Sequence, residues 1–288
     1  MLKSYKTKRA VGNAIVYTIL TILSIIWLLP LIWIVMTSFS GESTAYIDSV
    51  IPESWTLSNY TELFSKEFIE TSGYNYPRAF LNTFIIAIFS CIISTLSVLM
   101  VSYTFSRLRF KARKAFMNVA MILGMFPGFM TMIAIYYILK VIGLSQSIVG
   151  LIIVYSAGAS LGYFISKGFF DTVPKALDEA ATIDGANKNQ IFWQIILPMS
   201  KPIVVYTILT SFIGPWTDFI MARMLLRDAI DQHTVALLLW NWVDKEKVDK
   251  YFYNFCAGSV IVAVPITLLF IKMQNFYVEG ITGGAVKG

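Results

Sequence analysis

Charge is what this chain is short of. Lys, Arg, Asp and Glu make up 14% of its 288 residues, against about 25% in an ordinary soluble domain. The shortage is uneven: residues 10–41 and 79–106 contain no charged side chain at all. Blocks of that length exclude a purely soluble core and point to membrane spans. Cysteine is scarce too. Cys91 and Cys256 both fall in apolar runs, which excludes a disulfide framework and any cysteine spacing for a metal. The one histidine, His233, stands in a polar loop without a partner cluster and reads as a surface residue rather than a ligand or base. No GxxxxGK[ST] loop, HExxH or CxxC occurs, so no ATP site and no metal set is visible. The net charge of +6 does not argue for nucleic acid, because the cations sit in short segments flanking the apolar runs.

What is present is a series of apolar runs. Lys3, Lys6, Lys8 and Arg9 precede the first, read as a retained helix over 11–39 with Pro30 as a kink. It is too long for a signal-peptide core. Residues 42–77 are acidic and predict an external segment packed as a lid, with Ser58 capping a short helix through Leu63 and Phe64. The second span, 79–106, is studded by Ser90, Ser94, Ser97 and Ser102; helix packing and a polar path are both open readings. The basic stretch Arg107, Arg109, Lys111, Arg113, Lys114 reads as a topology anchor.

The third span, 115–139, holds Gly124-Met125-Phe126-Pro127-Gly128, so a bend is expected there. Freed backbone in a membrane needs protein or a wet cavity over it, which places the bend near the bundle centre. The fourth span, 147–166, carries Gly158 and Gly162, read as a close helix contact. The fifth, 203–222, is interrupted by Gly214-Pro215-Trp216-Thr217-Asp218. Asp218 lies either on a polar path or at the outer surface. Trp240 and Trp242, in the outer loop 223–250, fit an interfacial belt or a face toward a ligand or partner. The sixth span is 251–271, with Pro265 as a kink. Six spans put both termini on one side. The segments on that side hold 15 of the 23 Lys and Arg and 5 of the 17 Asp and Glu, which makes it the cytoplasmic side.

Between the fourth and fifth spans lies a polar stretch, 171–202. Pro174 suits a first helical turn, and 175–184 reads as helix with Leu177, Ala180, Ala181 and Ile183 apolar. Gly185 breaks it. A second helix carries Ile191, Phe192, Ile195 and Ile196 at helical spacing and ends at Pro198 and Pro202. This is a small helix–turn–helix at a membrane surface, with an apolar side that something must bury.

Glu179-Ala180-Ala181, then Gly185, then Ile195-x-Leu197-Pro198 resembles the EAA motif of permease subunits of binding-protein-dependent ABC importers. Asp184-Gly185-Ala186 fits their carbohydrate branch, and the ending Ile281-Thr282-Gly283-Gly284 is similar to the MalG type of maltose and maltodextrin permeases. The resemblance implies an all-α membrane protein with six transmembrane helices, an ABC type I importer permease fold and a cytoplasmic EAA coupling helix. Residues 1–78 are the N-terminal segment, first helix and external loop; 79–275 the permease core; 276–288 a cytoplasmic tail. It further implies ATPase coupling by Glu179, Ala180, Ala181, Asp184, Gly185, Ala186, Leu197 and Pro198, and a tail contact by Thr282, Gly283 and Gly284. Pro127, Gly214, Trp216 and Asp218 are the translocation-path candidates. The implied partners are a second, MalF-like permease, a dimer of ABC ATPase subunits, an extracytoplasmic sugar-binding protein, an oligosaccharide and membrane lipid, with no nucleic acid. No cofactor belongs to this chain and it is no enzyme; ATP and Mg belong to the partner ATPase. The substrate implied is maltose or maltodextrin, with raffinose-type sugars and galactosides as alternatives. An ion-driven secondary transporter would need paired intramembrane carboxylates, and the spans offer at most Asp218.

Overall fold

A computed structural model of the chain describes residues 2–42, 50–157 and 160–285. Fifteen α-helical segments occur in them. They are α1 (Leu2–Thr37), α2 (Ser58–Glu62), α3 (Lys66–Ser72), α4 (Tyr76–Arg107), α5 (Arg113–Gly124), α6 (Gly128–Val141), α7 (Ile148–Ser156) and α8 (Ser160–Thr172). There follow α9 (Ala176–Ile183), α10 (Lys188–Gln190), a π-helical turn Ile191–Ile196, α11 (Leu197–Met199), α12 (Lys201–Thr217), α13 (Ile220–Leu226), α14 (Val235–Trp242) and α15 (Val248–Ala285). Apart from one isolated bridge, Ser40 to Trp55, extended pairing is missing among the described residues.

Three helices are long and apolar enough to cross a membrane unaided: Ala10–Thr37 within α1, α4, and Val248–Gln274 within α15. The third predicted span is split. Its halves α5 and α6 turn by 103° at Met125 to Pro127, where Pro127 lacks the N–H that continued winding needs. The fourth run is α7 followed by α8; Gly158 and Ala159 between them lie outside the described residues. The fifth is α12, set at 84° to the segment Lys188–Met199. The turn falls at Ser200, between Pro198 and Pro202, where the sequence places a helix end.

The chain forms two compact units. One comprises residues 1–73 and 241–261. In it the acidic segment is tied down by short polar contacts. Asn59 Nδ2 donates to the carbonyls of Ser38 and Ser40 at 3.0 and 2.7 Å, and Tyr60 and Ser38 share a hydroxyl bond of 2.6 Å. Tyr253 donates to Glu42, and Asn254 to Glu62. Ser58 does not cap α2. It is the first helical residue, and the Thr56 hydroxyl accepts from its N–H instead. Trp242 also departs from the belt reading: it is fully buried, against Phe68 and Tyr251. By contrast α1 is exposed from Ala10 to Ile32.

The second unit, 74–240 with 262–288, is organised around α4. Asn75 caps it by accepting from the Arg78 N–H, and Pro77 pre-sets its first turn. α4 packs along α7, α8 and α12. Its serines divide. Ser90 bonds back to the Ile86 carbonyl, Ser102 donates to the Tyr163 carbonyl of α8, and Ser94 accepts from Ser211 of α12. The close glycine approach lies at Gly150 rather than Gly162. A Cβ on Gly150 would stand 2.4 Å from the Leu144 carbonyl oxygen, whereas one on Gly162 would meet nothing within 4 Å. Residues 158–162 carry a GxSxG spacing that could be taken for a catalytic serine. A nucleophile elbow needs a strand-to-helix turn, and Ser160 instead opens a helix.

His233 is buried, not superficial. Its Nε2 lies 3.0 Å from the Arg227 carbonyl, so that nitrogen carries the proton, and Nδ1 has no partner. Burial, aided by the Arg223 charge, pushes the imidazole below its ordinary value of 6.5; the Arg227 carbonyl and Asp228 oppose this without reversing it. The unfolded chain therefore binds the proton first as pH falls, and stability drops between 6.5 and the lower folded value. A thermal melt of the detergent-solubilised protein should show this loss below about pH 6.5, and His233→Gln, which retains an N–H donor, should remove it.

Candidate functional site

The 172–200 loop folds on its own logic. α9 starts after Pro174 and ends at Gly185, whose φ of +87° is a conformation open to glycine at little cost. The chain restarts with a capping box: Asn187 accepts from the Gln190 N–H at 3.0 Å, and Gln190 Oε1 accepts from the Asn187 N–H at 2.8 Å. Ile191–Ile196 is then wound as a π-helix, a form that recurs at functional sites.

The loop's apolar residues are shared between two faces. Ala181, Ile191, Phe192 and Ile196 turn inward to a core with Leu99, Tyr103, Phe170, Val173 and Ile203. Leu177, Ala186 and Ile195 pack at its edge. Tyr103 lies 4.8 Å from Phe192, centroid to centroid. The loop is thus cemented to α4 and α8 by its own side chains. The small side chain of Ala181, 7% exposed, serves this internal packing rather than an outer contact. Facing outward are Glu179, Ala180, Asp184 and above all Ile183, which is 87% exposed. Leu197 also packs at the edge of the inner core, and Pro198 lies beside it. They line a separate apolar slot with Val204, Ile208, Met273 and Phe276.

A buried ion pair pins α9. Arg107 Nε stands 3.3 Å from Asp178 Oδ2, with the two side chains 5% and 15% exposed, and an Arg107 Nη donates to the Val173 carbonyl at 2.7 Å. The sequence shows Arg107 as one cation in a basic stretch and gives Asp178 no special standing, because a pairing over that separation leaves no local pattern. The same end of α8 is held by Asp171, which accepts from Ser106 and Lys167. Burial pushes its carboxyl up. The Lys167 and Ser106 hydrogen bonds, with the Lys167 and Arg113 charges, outweigh that and hold it below its ordinary value.

Between α4, α7, α8 and α12 lies a cavity of about 250 Å³. Hydroxyl groups of Ser94, Tyr155, Thr207, Thr210 and Ser211 stud a wall otherwise made by Val98, Tyr206 and Pro215, and Gly162 and Gly214 open it. Of the four path candidates, Gly214 alone lines it. Trp216 does not: it is buried among Phe80, Phe84 and Phe212, because neighbouring residues on a helix point about 100° apart. Asp218 is half-buried at the end of α12, where its carboxylate accepts from the Met221 N–H at 3.0 Å and caps α13. Its neighbour is the Tyr155 hydroxyl of the cavity wall, which closes no well-formed hydrogen bond to it. Pro127 stands away from the cavity. The bend it makes is exposed on this chain, so the expected burial near the bundle centre does not come from these residues. Trp240 stacks on Phe219 at 4.3 Å and stays partly exposed. At the C-terminus α15 runs helical through Thr282, Gly283 and Gly284 to Ala285; the side chains of those three residues, and positions 286–288, lie outside the described residues.

Comparison with known proteins adds four findings. The profile of the family described as binding-protein-dependent transport system inner membrane component matches residues 94–277. The chain is 33% identical to the galactooligosaccharides transport system permease protein GanQ of Bacillus subtilis, over all of both chains. It is 34% identical to the maltodextrin transport system permease protein MalD of Streptococcus pneumoniae, again over the full length of both. In fold it is similar to a chain of a bacterial ABC transporter involved in the import of the acidic polysaccharide alginate. The TM-score is 0.75 at 22% identity, covering 93% of this chain and 97% of the other.

Proposed function

Because the chain belongs to the binding-protein-dependent transport system inner membrane component family, we propose that it is the permease subunit of an oligosaccharide ABC importer. It sits in the cytoplasmic membrane with both termini inside. It is worked by ATP hydrolysis in a partner subunit, beside a second permease, and receives sugar from an extracytoplasmic binding protein. The observation that carries this reading is the 172–200 loop. Its inner face is locked to α4 and α8, while Glu179, Ala180 and Ile183 are left outward as a rigid amphipathic plug. A plug anchored in this way moves as one piece with α4 and α8, which is what a motor acting on a gate requires. Alternating access then follows from motion of that loop, and no chemistry on this chain is needed.

For the path through this subunit we infer the hydroxyl-lined cavity beside Gly214. Hydroxyls that donate and accept suit a sugar sliding past, since each bond broken finds a replacement. For the substrate we infer a maltodextrin-type glucan, on the full-length likeness to MalD. A galactooligosaccharide is the second reading, on the equal likeness to GanQ. The test is ATP hydrolysis by the reconstituted complex with its binding protein and a panel of oligosaccharides. Stimulation by maltotriose but not by galactobiose is expected. The reverse selects the second reading, and indifference to every sugar removes the oligosaccharide assignment.

A further inference from the structure

Two cavities outside the coupling loop and the sugar path share a wall. One, of about 200 Å³, is bounded by Phe105, Phe116, Ala120, Tyr163 and Phe164, with Lys167 at its edge. The other, of about 520 Å³, is bounded by Arg109, Lys111, Arg113, Lys114 and Phe110. Met117 lines both. A narrow apolar slot thus opens beside a wide basic one, at the end of α4 where the chain leaves the apolar run. Ordinary topology anchoring needs the charges but no slot.

The balance of charge is one-sided. Five cations, Arg109, Lys111, Arg113, Lys114 and Lys167, line the two cavities and no carboxylate lines either; the nearby Asp171 already accepts from Lys167 and Ser106. No ion pair engages the other four cations among the described residues. Arg107, next in sequence, is committed to Asp178. The first turn of α5 receives no side-chain cap, since Ala112 occupies the N-cap position; of its N–H groups, that of Arg113 is taken by the Phe110 carbonyl. Free N–H groups and cations at one place accept a phosphate, and basic pockets between helices at a membrane face hold anionic headgroups. The adjoining slot is the feature that selects the ligand. An acidic surface of a protein partner would leave it unfilled, whereas an acyl chain attached to the phosphate would occupy it.

We propose that the α4–α5 corner and α8 bind an anionic phospholipid, with its phosphate among Arg109, Lys111, Arg113 and Lys114 and an acyl chain against Phe116, Met117 and Phe164. The site lies on the same helix ends that hold the 172–200 loop, through Ser106–Asp171 and Arg107–Asp178. Lipid occupancy therefore stiffens the anchor of that loop.

The test uses the complete transporter in nanodiscs of mixed phosphatidylglycerol and phosphatidylcholine. A phosphatidylglycerol carrying a photoreactive acyl chain should crosslink the unsubstituted protein within 101–120 or 163–167; labelling spread evenly over the spans overturns the proposal. By native mass spectrometry, Arg109→Gln with Lys114→Gln should lower the preference for phosphatidylglycerol about twenty-five-fold, at about fivefold per cation. Ala120→Trp, which fills the slot and leaves every charge in place, should lower retained phosphatidylglycerol as well, and inorganic phosphate should not displace it. Unchanged retention in either variant overturns the proposal. So does displacement by phosphate alone, or a Gln variant that sheds the ATPase subunit while keeping its lipid.

Discussion

Glu179→Lys and Gly185→Val are each expected to abolish the proposed ATP-driven sugar uptake while the chain stays in the membrane at normal abundance. The two act by different physics. Glu179 is exposed and makes no ion pair among the described residues, so its replacement costs the isolated chain little. On the proposed coupling role the loss arises at the docked surface, where a carboxylate matched to a cation of the ATPase subunit would become a second cation. Like charges brought together across an interface cost several kcal/mol. Gly185 fails inside the chain. Its φ is +87°, and a Cβ there would meet nothing within 4 Å, so crowding plays no part and backbone strain does all of it. A left-handed conformation costs an ordinary residue about 1–2 kcal/mol, and a β-branched side chain is worse placed still. The turn relieves the strain by opening, which swings Ala180 and Ile183 away from the capping box at Asn187. Gly185→Ala should accordingly keep part of the uptake. Labelled-oligosaccharide uptake, with abundance measured by immunoblot, reads the result; full transport in either severe variant removes the coupling role of the loop.

Arg107→Ala should be the most damaging single change to the anchoring of the loop. It leaves Asp178 as a buried charge with no counter-ion, and removing one member of such a pair costs about 3–5 kcal/mol. It also strips the Val173 carbonyl of its donor. The double variant Arg107→Met with Asp178→Leu should be milder than either single one, because two apolar side chains of similar size need no compensation in an apolar surround. The readouts are the melting temperature of the solubilised protein and sugar-stimulated ATP hydrolysis in the complex. Damage in the double variant equal to the sum of the singles would mean that the two side chains act independently and that no buried pair holds α9.

The reach of the sequence followed the range of the interactions. Gly185, the two loop helices and the stop at Pro198 to Pro202 were readable because each rests on residues within one or two turns. The charge-free blocks were readable for a similar reason, since length and composition decide them. The bend of the third span was found but not sized, because an angle of 103° depends on what α5 and α6 each pack against; in the fifth, helix runs through Gly214 and Pro215 and stops only at Asp218, the last residue of the expected interruption. Pairings between distant segments left no mark. Arg107 with Asp178, Ser102 with the Tyr163 carbonyl, and Asn82 with the His233 carbonyl are set by how helices stack. Direction around a helix was the other blind spot. Ala181 and Trp216 sit in motifs that suggested contact with a partner or a substrate, and both face the protein interior. At Gly150 and Gly162 the same residue type has opposite duties, one wedged against a carbonyl and one bordering open space.

The wide winding at Ile191–Ile196 also governs how this stretch of gene can drift. A π-turn holds one residue more than α-helical winding over the same rise. Deleting a codon here would let the backbone relax into ordinary α winding with every main-chain bond intact. The phase would hardly change, since six residues of π winding and five of α winding both turn the chain by about 500°. The flaw would be local: one of the inward places now filled by Ile191, Phe192 and Ile196 would lose its side chain, while the helices on either side kept their faces. A one-residue deletion is thus absorbed here by unwinding the wide turn, where the same deletion in α4 would rotate one half of the helix away from its partners.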